Sequence, residues 1–275
     1  MDIVNLLLDK RFIIVFVITF FVYCLGIIAG SIRFAGIKTK LITTSFSIAN
    51  VVFLISRLSN LIQTPFLGSM ADIAFKENNL EILKLKIHLI IFASTLGCIA
   101  GLLLFTTFEK IFIKWIEIFD RKKSMIKTFL TSFNIKTIHF IFKSIDKPRF
   151  FLDKEYLKRV PLVVTVSSIL INAFWTTGVL SAIYASVMVP EFARTATILS
   201  GIVNGIATVL FTIFLDPVVA NITDKVYNKE EKIEYLYNVM WVIIIGTIIG
   251  TILAHLVFYP GAWIISIITS IFSKI

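Results

Sequence analysis

Arg57 lies in the middle of 51–62 (VVFLISRLSNLI), a stretch otherwise apolar enough to cross a bilayer. A guanidinium stays charged, and placing it in hydrocarbon is costly unless it meets a partner, a substrate or water. At about 100° per residue, Asn50, Arg57, Asn60 and Thr64 fall within roughly a quarter turn of one another. A polar seam therefore descends one side of a membrane helix, with Gln63 just off its centre. Its chemistry is recognition: Arg offers a planar two-pronged donor to carboxylate or phosphate, and the amides suit sugar or peptide groups. Candidate substrate contacts here are Arg57, Asn60, Gln63 and Asn50.

A second seam follows later in the chain. Asn204, Thr208, Thr212 and Asp216 recur at i, i+4 spacing, and Ser168, Asn172, Trp175 and Thr176 share one face of the preceding segment. Asn204 and Asn172 join the candidate contacts. Ser168, Thr208 and Thr212 read more simply as interhelical packing groups. Asp216 precedes Pro217 as Thr64 precedes Pro65, and a proline frees a carbonyl one turn back for water, a neighbour or a ligand. Asp216, Glu191 and Arg194 are candidates for coupling or ion pairing. An internal Arg57–Asp216 pair is the structural alternative to a substrate role.

Nothing in the chain points to catalysis. HExxH, GxSxG, Walker A and dinucleotide fingerprints are absent from the sequence. His88, His139 and His255 are scattered, so neither a metal site nor a cofactor is expected. The expectation is a protein that is not an enzyme and whose transport is passive, ion-coupled or partner-driven.

These seams must sit on membrane helices. The chain is 57% hydrophobic with mean hydropathy +0.92 and 26 Phe, more than a soluble core of 275 residues needs. Six segments can span: about 12–30, 42–64, 87–108, 160–189, 195–217 and 236–258. The expected class is an all-α polytopic membrane protein. Residues 261–272, after Pro260, are short and read as an interfacial or re-entrant helix, with a true span as the alternative. The first segment follows Asp2, Asp9, Lys10 and Arg11 and lacks a small-x-small cleavage site, so it is kept as a span. Cys24 and Cys98 fall within spans and read as packing residues.

The net charge of +10 reports topology first. Connections 31–40, 109–159 and 218–235 carry 19 Lys and Arg, against 7 for the remaining loops and ends. The positive-inside rule places the first group in the cytoplasm and both termini outside. Within the long connection, 124–144 mixes Phe and Ile with Lys127, Lys136, His139 and Lys143, the pattern of a helix lying on anionic lipid. Membrane-surface electrostatics accounts for this run without nucleic acid. Self-association is left open.

The chain thus divides into a three-span half (1–108), a basic cytoplasmic or interfacial segment (109–159) and a second three-span half with its C-terminal helix (160–275). Gly26 and Gly178, Pro65 and Pro217, and Asp72 and Asp224 pair at a common offset of 152. Each half has an odd number of spans, so related halves would have opposite orientation. An inverted 3+3 repeat is expected.

The stretch 56–68 (SRLSNLIQTPFLG) resembles a segment of the Amj family of bacterial lipid II flippases. Similarity extends to 32–39 (IRFAGIKT), 190–196 (PEFARTA), 201–208 (GIVNGIAT) and Asp216-Pro217, and is weakest over 109–159. The resemblance implies transfer of lipid-linked peptidoglycan precursor across the bacterial cytoplasmic membrane, with lipid II as partner. It carries no established catalytic residues, so the site residues rest on physical inference. Arg33, Lys38 and Lys40, on the expected cytoplasmic side, are placed to gather the diphosphate before it reaches Arg57. The rival readings are a secondary transporter of a small anionic solute and a membrane assembly or interaction protein.

Overall fold

The computed structural model describes residues 9–123, 143–148 and 152–272, except for the side chain of Arg57. The surface helix expected at 124–144 falls almost entirely outside the described residues. The first span consists of α1 (Lys10–Ala29) and α2 (Ser31–Thr39), which meet at Gly30. The second is α3 (Ile42–Lys76) and the third α4 (Leu80–Lys122). After the short α5 (Lys154–Arg159), the fourth span is α6 (Leu162–Met188). The fifth is assembled from a 3-10 turn (Pro190–Phe192), α7 (Ala193–Ile198), α8 (Ser200–Leu210), a π turn (Phe211–Leu215) and α9 (Asp216–Tyr227). The sixth is α10 (Ile233–Phe272). Among the described residues, six helical spans are long and apolar enough to cross a membrane, as expected. The chain is an all-α, multi-pass membrane protein.

Several boundaries differ from expectation, the first span running on to Thr39 and the second through Pro65 to Lys76. At about 1.5 Å per residue the 43 residues of α4 extend roughly 64 Å, about twice the hydrocarbon thickness. Residues 109–122 therefore continue the third span instead of beginning a separate segment. Residues 261–272 continue α10 through Pro260. Phe258 and Ala262 are buried on either side of that proline, and their packing carries the helix across the lost hydrogen bond. The fifth span, expected as one helix over 195–217, is broken at Leu199 and widened at Phe211–Leu215.

The contacts between spans fix their directions. Lys86 Nζ donates to Asp9 Oδ2 at 2.6 Å at one end of the first and third spans. At the other end Lys38, late in the first, pairs with Glu109, late in the third, so the two run parallel. The fourth and sixth are also parallel: Asn172 Nδ2 donates to Thr247 Oγ1 at 3.0 Å, and Ser181 Oγ to the Phe258 carbonyl at 2.9 Å. Both begin where the first and third finish, because Tyr237 Oη donates to Glu109 and Arg159 pairs with Glu231. The two parallel pairs therefore run in opposite senses. A separation of 77 residues relates Asp9 to Lys86 in one pair and Ser181 to Phe258 in the other.

Two clusters of buried apolar side chains draw on both halves, one joining Phe12, Leu67, Ile87, Ile183, Leu199 and Phe258. The second and fifth spans are peripheral. Only 24% and 17% of their apolar windows are buried, against 39–56% for the other four. They expose the most surface, and they carry the polar seams.

Candidate functional site

On the second span Asn50 and Asn60 are exposed, and Gln63 and Thr64 are half-buried. Gln63, off the seam's centre, is the residue that anchors it. Its Oε1 accepts from Thr19 Oγ1 at 3.0 Å on the first span, and its Nε2 donates to Asn60 Oδ1 at 2.8 Å. Thr64 Oγ1 donates to the Asn60 carbonyl at 2.9 Å. Arg57 lies on the same helix between Asn50 and Asn60, and its side chain is outside the described residues. Around the seam, Phe53, Leu54, Leu58, Leu61 and Ile62 are exposed, the apolar surface expected of a helix whose remaining face meets lipid.

Behind this helix, the first and fourth spans meet through hydroxyls. Tyr23 Oη lies 2.6 Å from Thr176 Oγ1, and Thr176 donates its own hydrogen to the Asn172 carbonyl at 2.6 Å. The Tyr23 hydroxyl is therefore the donor to Thr176. Asn172 is buried and commits Nδ2 to the Ser168 carbonyl and to Thr247. It supports the wall between the fourth and sixth spans and is less open than the Asn60 amide.

The fifth span faces the fourth through Asn204, whose half-buried side chain rests against Gly178. Any larger residue at 178 would occupy the place of the amide: a β-carbon there would lie 2.4 Å from Asn204 Oδ1. That oxygen is buried and has no hydrogen-bond partner among the described residues. Thr208 and Thr212 are exposed and donate back to the carbonyls of Asn204 and Thr208. Such bonds bend helices. Pro217 lacks an N–H and its ring crowds the preceding turn, which accounts for the widened π turn just before it.

Asp216 closes this span's basic end onto the first. Arg33 Nη2 donates to Asp216 Oδ1 at 2.7 Å, and the guanidinium lies 5.3 Å from the centre of the Phe46 ring. Among the described residues Asp216 thus pairs with Arg33, a pairing the spacing of the seams did not suggest. Lys38 sits one turn further on, paired with the buried carboxylate of Glu109. Glu109 also accepts from Tyr237 Oη at 3.0 and 2.9 Å, and Tyr237 stacks on Phe34 with centroids 4.1 Å apart. Glu191 and Arg194 are exposed at the opposite end of the fifth span, so the fold does not bring them to Asp216.

Two groups escaped the sequence reading. His88 and His255, read as isolated, stack across the third and sixth spans with Nδ1 atoms 2.9 Å apart. One nitrogen donates and the other accepts, with the roles set by the tautomers of the two rings. Lys86, buried in an apolar run, should have signalled a partner; it finds Asp9, while Arg11 bonds both Asp9 and Ser69. No group of three or more His, Cys, Asp or Glu suited to a metal occurs among the described residues. Cys24 and Cys98 are buried free thiols.

A cavity of about 580 Å³ opens at the basic end, lined by Arg159, Pro217, Asn221, Lys225, Glu231 and Tyr235. Another of about 520 Å³ lies at the opposite end beside Asp9, Glu77 and Lys86. The seams lie between these levels on a laterally open surface. Such an arrangement lets a polar group travel along the helices while an attached chain stays in lipid.

The model of a family named Amj and described as alternate to MurJ matches residues 18–269. This chain belongs to the Amj family. A protein of Bacillus subtilis (strain 168) named Lipid II flippase Amj is 31% identical over 267 residues, covering 96% of this chain and 99% of the relative. No solved structure matches the chain. The Amj match extends through all six spans and the long basic connection, including the stretch where the sequence resemblance is weakest.

Proposed function

We propose that this chain is a lipid II flippase of the bacterial cytoplasmic membrane. The observation that carries this is near-complete coverage of a relative bearing that name, at 31% identity over 99% of the relative's length. The open geometry of the second and fifth spans supports it. A lipid flippase must shelter a large polar head group while the prenyl tail remains in the bilayer, which needs a polar surface open sideways. In this reading Asn50, Asn60 and Gln63 on the second span and Asn204 on the fifth offer amides to sugar and peptide groups. Asn172 holds the wall behind them. Arg57 meets the diphosphate, the part that is most expensive to desolvate. Arg33 and Lys38 gather the anion at the basic end, which faces the cytoplasm and its anionic lipids.

The inverted repeat belongs to the same proposal. What supports it is the opposed direction of the two parallel pairs, whose contacts are 71 and 77 residues apart in one and 75 and 77 in the other. Glycines also sit at matching contacts, Gly97 and Gly101 on the first span and Gly246 and Gly250 on the fourth. Two related halves could then exchange an inward-open for an outward-open arrangement by rocking about their common contact.

Expression in a bacterium depleted of its own lipid II flippases tests the reading. Growth and surface-accessible lipid II are expected to return. Lysis with lipid II confined to the inner leaflet, at normal membrane levels of the protein, would reject it.

A further inference from the structure

Arg33 and Asp216 form an ion pair between the first and fifth spans, one from each half, at the basic end. Its satisfaction is one-sided. Nη2 holds a single carboxylate oxygen, the guanidinium face rests on Phe46, and Nη1 is buried without a hydrogen-bond partner among the described residues. A guanidinium is a planar fork of five N–H donors, shaped for two oxygens of one anion. Here it has been withdrawn from water, its side chain 19% exposed, in return for half of that bonding. Asp216, at 45% exposure, loses little by returning to water.

The helix that carries Asp216 is made to yield at this point. Asp216 directly follows the π turn Phe211–Leu215 and directly precedes Pro217, which cannot donate a backbone hydrogen bond to the turn before it. Earlier in the span the helix is interrupted at Leu199, and Gly201 and Gly205 face open space. A bend at the π turn would swing Asp216 away with α9, shifting Val219, Ile222 and Val226 within the core they pack into, while ahead of the turn Ser200–Leu210 buries little beyond Ala207 and can yield.

We propose that Asp216 is a placeholder anion in a latch: it holds Arg33 while the basic end is closed, and a diphosphate displaces it and frees the fifth span to bend. The diphosphate fills both prongs of the guanidinium where the carboxylate fills one. This rests on the flippase reading and deepens it, naming the side chain that first recognises the diphosphate and the carboxylate it replaces.

The test is a pulsed EPR distance between spin labels at Lys40→Cys and Asn228→Cys. It uses the full chain in lipid nanodiscs, in a background lacking Cys24 and Cys98, with inorganic pyrophosphate as the probe. The distance is expected to lengthen when pyrophosphate is added. Asp216→Asn is expected to be long without it, and Arg33→Lys to need roughly tenfold more pyrophosphate, since a point charge replaces the fork. The exchanged pair Arg33→Asp with Asp216→Arg keeps the ion pair and guards against loss of fold; it is expected to be short without the probe, unlike Asp216→Asn. A distance that does not change with pyrophosphate in the native pair, and is the same in Asp216→Asn, overturns the latch. A response to polyprenyl diphosphate at far lower concentration than to pyrophosphate marks a lipid-borne anion, and equal concentrations mark a soluble one; either supports the latch. Lipid II movement by the same preparations separates the two proposals. A responsive latch without movement contradicts the flippase reading alone, and movement with an unresponsive latch contradicts this one alone.

Discussion

Gly97 approaches Phe20 so closely that a β-carbon on the glycine would lie 2.3 Å from the Phe20 carbonyl oxygen. Gly250 makes the corresponding approach to Ile169, where the distance would be 2.5 Å. In both cases the obstacle is backbone, which cannot rotate aside, so the parallel helices would have to separate. Gly97→Ala and Gly250→Ala are each expected to destabilise the protein by about 1–3 kcal/mol through overpacking. Gly26→Ala and Gly68→Ala, which meet nothing within 4 Å, are expected to be neutral or slightly stabilising because Ala is the better helix former. Thermal unfolding of the four variants in detergent checks the contrast.

Asp9 and Lys86 form the ion pair at the opposite end, with side chains 13% and 8% exposed. Burial pushes the Asp9 carboxyl up, but the hydrogen bond and charge of Lys86, with Arg11 beside it, hold it below the usual carboxylate range. A depressed carboxylate contributes stability above its unfolded value, near about 3.9, and loses it as pH falls through the folded value. Stability is therefore expected to be flat from neutral pH to about pH 4 and to fall below that. Asp9→Asn should cost roughly 3 kcal/mol by leaving Lys86 buried and unpaired, and adding Lys86→Met should recover much of it. Denaturation against pH for the three proteins measures both effects.

The membrane class and the number of spans were legible in the sequence because about twenty apolar residues suffice to define a crossing. The seams were legible too, since helical periodicity places Asn60 and Thr64 on one face. Periodicity cannot tell a face turned to a neighbouring helix from one turned to open space, which is why Asn172 and Asn60 looked alike. The break and π turn of the fifth span were hidden because FTIFL is equally apolar in either helix; Pro217 was the one visible cause. His88 and His255 stand 167 residues apart, and Arg33 and Asp216 stand 183 apart. Neither pairing follows from spacing until the helices are packed. Lys86 and Glu109, charges in long apolar helices, were visible signs of buried pairs that the sequence reading passed over.

Topology follows from the 19-to-7 distribution of Lys and Arg. Single cysteines at Asp2, Met125 and Asn228, in a background without Cys24 and Cys98, are expected to react with an impermeant thiol reagent in intact cells only at position 2. Labelling at 125 with protection at 2 would invert the orientation and put Arg33 on the outer side.

For the seam, Arg57→Ala is expected to abolish surface display of lipid II at normal protein levels in a strain with no other flippase. Arg57→Lys is expected to leave a small remnant, because lysine keeps the charge and loses the bidentate geometry. Removing Asp216 in the Arg57→Ala background should not restore activity, since Asp216 already holds Arg33 among the described residues. Recovery in that double variant would instead make Arg57 a structural charge.

The chain is expected to carry lipid II across a bilayer. Vesicles containing the purified protein and head-group-labelled lipid II, treated with an impermeant quencher, measure it directly. The inner-leaflet pool is expected to become accessible with the native chain and to stay protected in protein-free vesicles and with Arg57→Ala. An inner pool that stays protected with the native chain, in vesicles that nevertheless take up a small soluble anion, would contradict the account and favour a solute transporter.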